Sequence, residues 1–387
     1  MVKVFHIGYE HRYKDTRIVK KECKALMETG KYDITFITSN KNSKEGDFTE
    51  GDIKLKVMPL RTQRKGIKLV KYMRDVLSFI NEEKPDICHI HEYVLLPLIG
   101  ALKKHNIKVV YDKHEDTFEE LNKKFSNRFG DKIGSKLAGL IAKYENQKIL
   151  SSDAFIWVSP DMTCFDERVI EKANLIANFP SYKHTEDISY DTYKLNINNL
   201  AFAGGISANW SIDKVVEALS NQDNIKLNLA GPVSVSSYLE RLKKINGFKN
   251  VNYLGNIPYE EVENLYSKSG IGLALLNSPI EKYNRVGVLG NTKIFEIMMA
   301  GLPVICSKNK LWQDMTEKYD CGITVNPADE NEILDAARYL INNPKRAFEM
   351  GRHGKEAIKK EYNWELHKGR LLDIYDNLDS GKARYIK

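Results

Sequence analysis

The stretch Gly290-Asn291-Thr292-Lys293-Ile294-Phe295-Glu296-Ile297-Met298-Met299-Ala300-Gly301-Leu302-Pro303-Val304-Ile305 decides how this chain is read. A glycine turn and an Asn cap start one short amphipathic helix, Gly301 and Pro303 end it, and an apolar strand follows from Val304. The N-terminus of such a helix presents backbone N–H groups and the positive end of its dipole, which attract phosphate. Lys293 adds a full charge in the first turn, where a cation is otherwise disfavoured. Glu296, one turn on, projects near the same opening and is able to accept two hydrogen bonds from a ribose. Diphosphate, ribose and a helix start together point to a nucleotide-sugar site. An ordinary capped helix inside an α/β domain would carry the same pattern, so the motif alone leaves both readings open.

Working outward, strands alternate with helices on both sides of this stretch. In the first half, Val2–Ile7, Ile34–Thr38, Ile87–Ile90, Val109–Tyr111 and Ala154–Val158 read as strands. Thr16–Met27, Leu69–Ile80, Val94–Lys103 and Ile133–Leu150 read as helices, with a polar loop after Tyr111. The second half repeats the scheme, with strands at 200–203, 225–230, 251–254, 271–276, 304–306 and 323–325. This rhythm implies parallel sheets covered by helices. The polar segment Asn178–Asn199 breaks it and reads as an interdomain connection. The expectation is an α/β protein of two Rossmann-like domains, 1–180 and 181–363. Ligands of such sheets bind at the C-terminal strand edges, here in a central cleft.

Composition narrows the class. At 387 residues, two domains are favoured over one, and 42% hydrophobic with 29% charged residues is the balance of a soluble globular protein. No apolar run reaches the length of a membrane span, and Met1–Gly8 lacks the core of a signal peptide. Cys23, Cys88, Cys164, Cys306 and Cys321 are odd in number and widely spaced, which excludes a C-x-x-C zinc or disulfide framework and fits a reducing cytoplasm. The net charge of +7 is concentrated at Lys54, Lys56, Arg61, Arg64, Lys65, Lys68, Lys71 and Arg74. With Ile67, Val70, Val76, Leu77 and Ile80 interleaved, this stretch reads as an amphipathic helix with a basic side. It would meet anionic lipid or an anionic acceptor, or form a solvated face. Nucleic acid is not expected, for no base-stacking aromatics or recognition motif accompany the charge.

The chain resembles the GT-B-fold retaining glycosyltransferases of family 4, the group 1 glycosyl transferases. The resemblance rests on Asn291–Ile305, Leu227-Asn228-Leu229-Ala230-Gly231-Pro232 and Val251-Asn252-Tyr253-Leu254-Gly255-Asn256-Ile257-Pro258. Weaker matches are Phe202-Ala203-Gly204-Gly205-Ile206-Ser207 and Tyr362-Asn363-Trp364-Glu365. It implies an N-terminal acceptor-side domain and a C-terminal donor domain, with the helix from 364 to 387 packing back on the first. It also implies donor contacts at Gly204, Gly205, Gly231, Ile257, Arg285, Gly290, Asn291, Thr292, Lys293 and Glu296.

Two departures from the family pattern matter. Glu296 matches the second acid of an E-x7-E motif, but the first falls on Val288. The Arg and Lys common after the first strand of the donor domain read Gly205 and Trp210 here. Lys293, Arg285 and the turn amides then become the candidates that meet the leaving diphosphate. In the first half, Val109-Val110-Tyr111-Asp112-Lys113-His114-Glu115 runs a strand into a loop. The family often sets a histidine there beside the donor sugar, so His114, Glu296 and Lys293 are the expected catalytic groups. His89 and His91 share a strand face without a third ligand in sequence reach, and a packed or hydrogen-bonded pair is expected rather than a metal site.

No metal or other cofactor is expected. The implied activity is hexosyl or N-acetylhexosaminyl transfer, UDP preferred, onto a glycan or lipid-linked acceptor in cell-envelope polysaccharide synthesis. The implied location is the cytoplasm, with peripheral contact at the inner membrane face. A binding subunit without activity and a sugar-nucleotide epimerase of the same fold are the alternatives.

Overall fold

The computed structural model describes every residue except 10, 40–44, 59–64, 160–165, 183–187, 278–288, 290 and 381–387. The chain divides into two units, Met1–Asn178 with Glu365–Lys387, and Phe179–Trp364. Each holds one sheet.

In the first unit the apolar runs form β1 (Val2–Ile7), β2 (Tyr32–Thr38), β5 (Ile87–Ile90), β6 (Lys108–Lys113) and β7 (Ala154–Trp157). Three further strands, β3 (Gly46–Glu50), β4 (Ile53–Val57) and β8 (Ala173–Leu175), complete an eight-stranded sheet ordered β3-β4-β2-β1-β5-β6-β7-β8, with β3 and β8 at its edges. All pairings are parallel except β3 with β4. The chain leaves β1 toward one side and returns on the other, so the topological switch point lies between β1 and β5. Register sets His6 beside His89 at that seam. Strands covered on both faces normally read as unbroken apolar runs; His6 on β1, His89 on β5, and Asp112 and Lys113 on β6 are buried departures from that pattern, and His91, also buried, follows directly after β5. The core beneath is Phe5, Ile7, Ile90, Ile99, Val109 and Phe155.

The second unit has β9 (Asn199–Ala203), β10 (Lys226–Ala230), β11 (Val251–Gly255), β12 (Ile271–Ala274), β13 (Val304–Ser307) and β14 (Gly322–Val325). They pair in parallel in the order β11-β10-β9-β12-β13-β14, with the switch point between β9 and β12. Buried Phe202, Phe295, Ile305 and Trp312 fill its core. Phe179 stands edge-on to Phe295 at 4.7 Å and to Tyr362 at 5.4 Å, pinning the start of the unit to its last turns.

Several expectations need correction. The sheet of the first unit is not wholly parallel, because Gly51, at φ +59°, turns β3 tightly back on β4. The loop expected after Tyr111 becomes, from Thr117 to Phe129, a helix whose N-terminus the Asp116 carboxylate caps at the Glu119 N–H. Within the polar segment Asn178–Asn199, Ser189 caps a helix, Tyr190–Leu195, and the chain divides before Phe179 rather than along the segment.

The basic stretch is also arranged differently. Lys54 and Lys56 lie on β4, paired with Asp33 and Asp47. Arg61, Arg64 and the side chain of Lys65 fall outside the described residues. In the helix Lys65–Glu83, Lys68 is buried while Ile67 and Val70 are 52% and 64% exposed. Tyr72, Val76 and Ile80 are the residues that face the core. Among the described residues, no helix is long and apolar enough to cross a membrane.

Candidate active site

The second unit builds its site at the switch point between β9 and β12. The helix Thr292–Met299 packs through Ile294, Phe295, Ile297 and Met298, which spaces its apolar side at helical period and leaves its first turn at the strand edge. Asn291 caps it, its side-chain oxygen accepting from the Lys293 N–H at 3.3 Å. The Lys293 stem runs across Gly204, the residue after β9. A Cβ on Gly204 would stand 1.9 Å from Lys293 Cε, and its φ of +144° disfavours any other residue. The Lys293 ammonium then rests over the Trp210 ring, 4.1 Å from its centre, a contact worth about 0.5–2 kcal/mol. Trp210 thus stands where the family pattern has a cation, and holds a cation that arrives from the helix instead.

Burial lowers the Lys293 pKa, with Glu296 acting against the shift. The charge is kept at a desolvation cost that a bound anion would offset. Gly231, after β10, donates its N–H to the Gly255 carbonyl at 2.7 Å, and Gly204 donates to Ala230 at 2.9 Å, which stacks the edge loops. Gly205 leaves open space around it. Ile257 lies apart from these residues, lining a hollow of about 350 Å³ with Asn228, Asn252 and Asn264. Arg285, Val288 and Gly290 fall outside the described residues. Gly204, Gly231, Asn291, Thr292 and Lys293 are therefore the part of the expected constellation that comes together, with Trp210 added to it by the fold.

The first unit carries a second site, at the C-terminal ends of β1, β5 and β6. His114 lies just past β6 and lines a cavity of about 560 Å³ with Tyr9, His11, Lys68, Tyr93 and Glu115. A larger hollow of about 1190 Å³, lined by Met1, Lys31, Asp86 and Lys108, opens at the opposite end, where the strands begin. Ligands of parallel sheets bind at the C-terminal ends, so the smaller cavity is the functional candidate.

His114 is held from behind. Its Nε2 lies 2.9 Å from Asp112 Oδ2. Asp112 is wholly buried, and Arg17 meets both its oxygens, at 3.0 and 3.2 Å. Burial pushes the Asp112 carboxyl up, but Arg17 and His114 outweigh it and hold the pKa well below the usual carboxylate range. An ionised carboxylate only accepts, so His114 presents an Nε2–H to it, which fixes the orientation of the ring. Glu145, also buried, accepts from Tyr111 at 2.6 Å, Lys113 at 2.9 Å and Thr117 at 2.9 Å, and so fixes both ends of the loop that bears His114.

Behind this lies a stack of imidazoles. The His89 and His91 rings lie 4.3 Å apart. His6 Nδ1 approaches His91 Nε2 at 3.0 Å, and the Tyr375 hydroxyl approaches His89 Nδ1 at 2.9 Å and His6 Nε2 at 3.2 Å. Tyr375 comes from the C-terminal helix Trp364–Asp379. His6, Glu22, His89 and His91 bring one possible ligand atom each within 4.8 Å of one another, so a third and a fourth partner for the histidine pair arrive from β1 and the first helical segment. Most of these ring nitrogens are already engaged. The Arg17 guanidinium also lies 3.0 Å from Glu22 Oε1, a fixed cation beside the place a dication would take. The geometry suits a hydrogen-bonded stack.

Sequence reading missed His6, Arg17, Glu22 and Asp112. Asp112 stands two residues before His114 in the same motif, a signal available to inspection; the others are joined to it only by folding.

The comparisons with known proteins agree with this architecture. A family model described as glycosyl transferase-like matches residues 213–373, and one described as Glycosyltransferase Family 4 matches residues 16–164. No curated protein sequence matches the chain. Sucrose-phosphate synthase from Thermosynechococcus elongatus superposes with a TM-score of 0.72 at 16% identity, over 98% of this chain and 100% of that one. HepE from Anabaena, in complex with UDP and glucose, gives 0.70 at 12% identity over 97% and 100%. A glycosyltransferase from Rickettsia africae gives 0.67 at 14% over 97% and 98%. At these identities the likeness establishes the fold, and the two family models, one on each half of the chain, both describe glycosyltransferases: the chain is a glycosyltransferase built on the GT-B fold.

Proposed function

We propose that this enzyme moves a sugar from a nucleotide diphosphate donor, UDP preferred, to an acceptor hydroxyl with retention of configuration. Its product would be a cell-envelope glycan or polysaccharide made at the inner face of the membrane, with a glycan or lipid-linked acceptor. The second unit is the donor side and the first the acceptor side. The observation that carries the reading is Lys293, threaded between Gly204 and Trp210 so that its charge stands at the switch-point edge beside a helix N-terminus. HepE, which shares the fold, is known in complex with UDP and glucose.

The bond from the sugar C1 to the diphosphate oxygen breaks, and its electron pair leaves with the diphosphate. Lys293 and the positive end of the helix Thr292–Met299 meet that charge, which is where fixed dipoles contribute most. Glu296 holds the ribose. The acceptor oxygen bonds to C1 on the face the diphosphate leaves, and its proton passes to a departing phosphate oxygen. His114, through Nδ1, hydrogen-bonds a sugar hydroxyl and orients the sugar ring. No step calls for a metal ion.

Val288, Gly205 and Trp210, where the family has an acid and two cations, favour one rival: a binding subunit without turnover. A thermal-shift screen against UDP-, GDP-, ADP- and dTDP-sugars tests the main reading. A ligand at about 100 times its dissociation constant adds roughly 2.7 kcal/mol, so the cognate donor stands out. Largest stabilisation by a UDP-sugar, with slow hydrolysis of that donor, supports the transferase. Stabilisation with no hydrolysis or transfer supports the binding subunit, and no stabilisation by any nucleotide sugar contradicts both.

A further inference from the structure

The helix Asp131–Ser151 is apolar on two opposite faces. One face, Gly134, Ala138, Ala142, Glu145 and Ile149, is buried. Where a Cβ on Gly134 would stand 2.4 Å from the Ser126 backbone nitrogen, the preceding helix Thr117–Phe129 packs against it, and the two form a helical hairpin. The opposite face carries Ile133, Leu140 and Tyr144, spaced seven and four residues apart and therefore in line at 3.6 residues per turn. They are 57%, 58% and 38% exposed, and Phe129, at the hairpin tip, is 46% exposed. Single exposed apolar residues are ordinary, whereas an aligned row opposite a buried face marks a docking surface.

The charge around this row selects what covers it. From Leu121 to Tyr144 the chain has six cations, Lys123, Lys124, Arg128, Lys132, Lys136 and Lys143, against one acid, Asp131. All six are exposed, and Lys136 and Lys143 flank the apolar row on one side. A second copy of the chain docking through this face would set like charges against each other, and the two rings available to stack bases, Phe129 and Tyr144, already carry Arg128 and Lys148 over them. Apolar side chains in a cationic border match the boundary of a bilayer with anionic headgroups.

We infer that the hairpin Thr117–Ser151 is the surface by which this enzyme rests on anionic lipid. The inference builds on the membrane contact included in the proposed function and moves that contact away from the 54–74 stretch, whose Lys54 and Lys56 are paired and whose Lys68 is buried. The consequence is positional. Thr117, Glu120 and Lys124 of the first hairpin helix line the His114 cavity, and Phe129 ends the same helix. A lipid-held acceptor would reach the cavity along about 18 Å of helix.

Sedimentation of the full chain with vesicles of neutral phosphatidylcholine, alone or with 30% phosphatidylglycerol, tests this. The probes are a charge variant, Lys132→Gln/Lys136→Gln/Lys143→Gln, and an apolar variant, Phe129→Ser/Ile133→Ser/Leu140→Ser. Both change exposed residues outside the catalytic groups, and donor-induced thermal stabilisation checks that each is folded. The wild type should bind the anionic vesicles preferentially and release in salt. A lysine near the surface contributes about fivefold, so the charge variant should bind about a hundredfold more weakly; the apolar variant should lose at least tenfold. Wild-type binding that survives both variants but falls in Lys71→Glu/Arg74→Glu overturns the hairpin placement while sparing membrane contact. Absent or lipid-independent binding by the wild type overturns both. A wild-type dimer that the apolar variant renders monomeric shows that a second copy covers the row, and also overturns the inference.

Discussion

At the switch point of the first sheet, three imidazoles, two carboxylates and a guanidinium are buried together; at that of the second, two glycines, an indole ring and a single lysine stem occupy the corresponding place. The topology is alike and the chemistry opposite. The first edge is pre-organised by buried charge, its histidine held by Asp112 and Asp112 by Arg17. The second is left open by glycine and by a cation resting on a ring, so that backbone and charge are presented to an anion. A fixed imidazole suits hydroxyl recognition, and an open, dipole-facing edge suits a leaving diphosphate. The proposed division of acceptor and donor roles between the units rests on this contrast.

The contrast is broken most severely by removing the buried cation. Arg17→Met leaves Asp112 and Glu22 without their guanidinium in a dry site, and such losses cost about 3–5 kcal/mol. Chemical denaturation should show a drop in that range, while donor-induced stabilisation of the remaining folded protein persists. A drop under about 1 kcal/mol would mean that the first edge is not organised by charge.

Acid should separate the units next. Burial depresses the pKa values of His6, His89 and His91, the last down to about 3, whereas unfolded imidazoles titrate near pH 6.5. Below about pH 6.5 the unfolded chain therefore binds protons that the native unit does not. The stability these groups confer is complete above that pH and falls as the pH moves toward the folded values, by about 1.4 kcal/mol per unit and per group. Hydrogen exchange corrected for its intrinsic rate should show β5 losing at least about 2 kcal/mol of protection between pH 6.5 and 5. The second unit has no buried histidine among its described residues, so β9 should change far less. Parallel losses in both strands would erase the distinction.

On the donor side, Glu296→Ala should weaken nucleotide-sugar binding by about 1.5–3 kcal/mol, the loss of charge-assisted hydrogen bonds to a ribose. Titration calorimetry reads it, and an unchanged affinity would remove Glu296 from the donor site.

What was legible beforehand follows the same division. The strands at Val2–Ile7, Ile87–Ile90 and Val304 announce themselves as apolar runs, and the capped helix at Asn291 as punctuation plus period. The edge strand β3, Gly46-Asp47-Phe48-Thr49-Glu50, has one apolar residue and gives little signal, whereas Ile53, Leu55 and Val57 of β4 alternate with Lys54 and Lys56, a strand pattern that the sequence reading absorbs into the basic stretch. The helix Thr117–Phe129 buries only Thr117 and Leu121, so it reads as a polar loop. Ile67 and Val70 look like core in the sequence because period alone does not say which side of a helix is covered. Lys293 was legible because its helix start is local. The Arg17–Asp112–His114 arrangement was not, since the first two members are 95 residues apart and only the sheet joins them.

The central claim is that positive charge for the leaving diphosphate comes from Lys293 rather than from the loop after β9. Steady-state turnover of Lys293→Ala beside Lys214→Ala tests it most directly, because Lys214 is a lysine of the same unit already paired with Glu217 and Glu330. The account predicts a fall of tenfold or more for Lys293→Ala, equivalent to about 1.4 kcal/mol of transition-state support, and near wild-type turnover for Lys214→Ala. Wild-type turnover in both variants would contradict it.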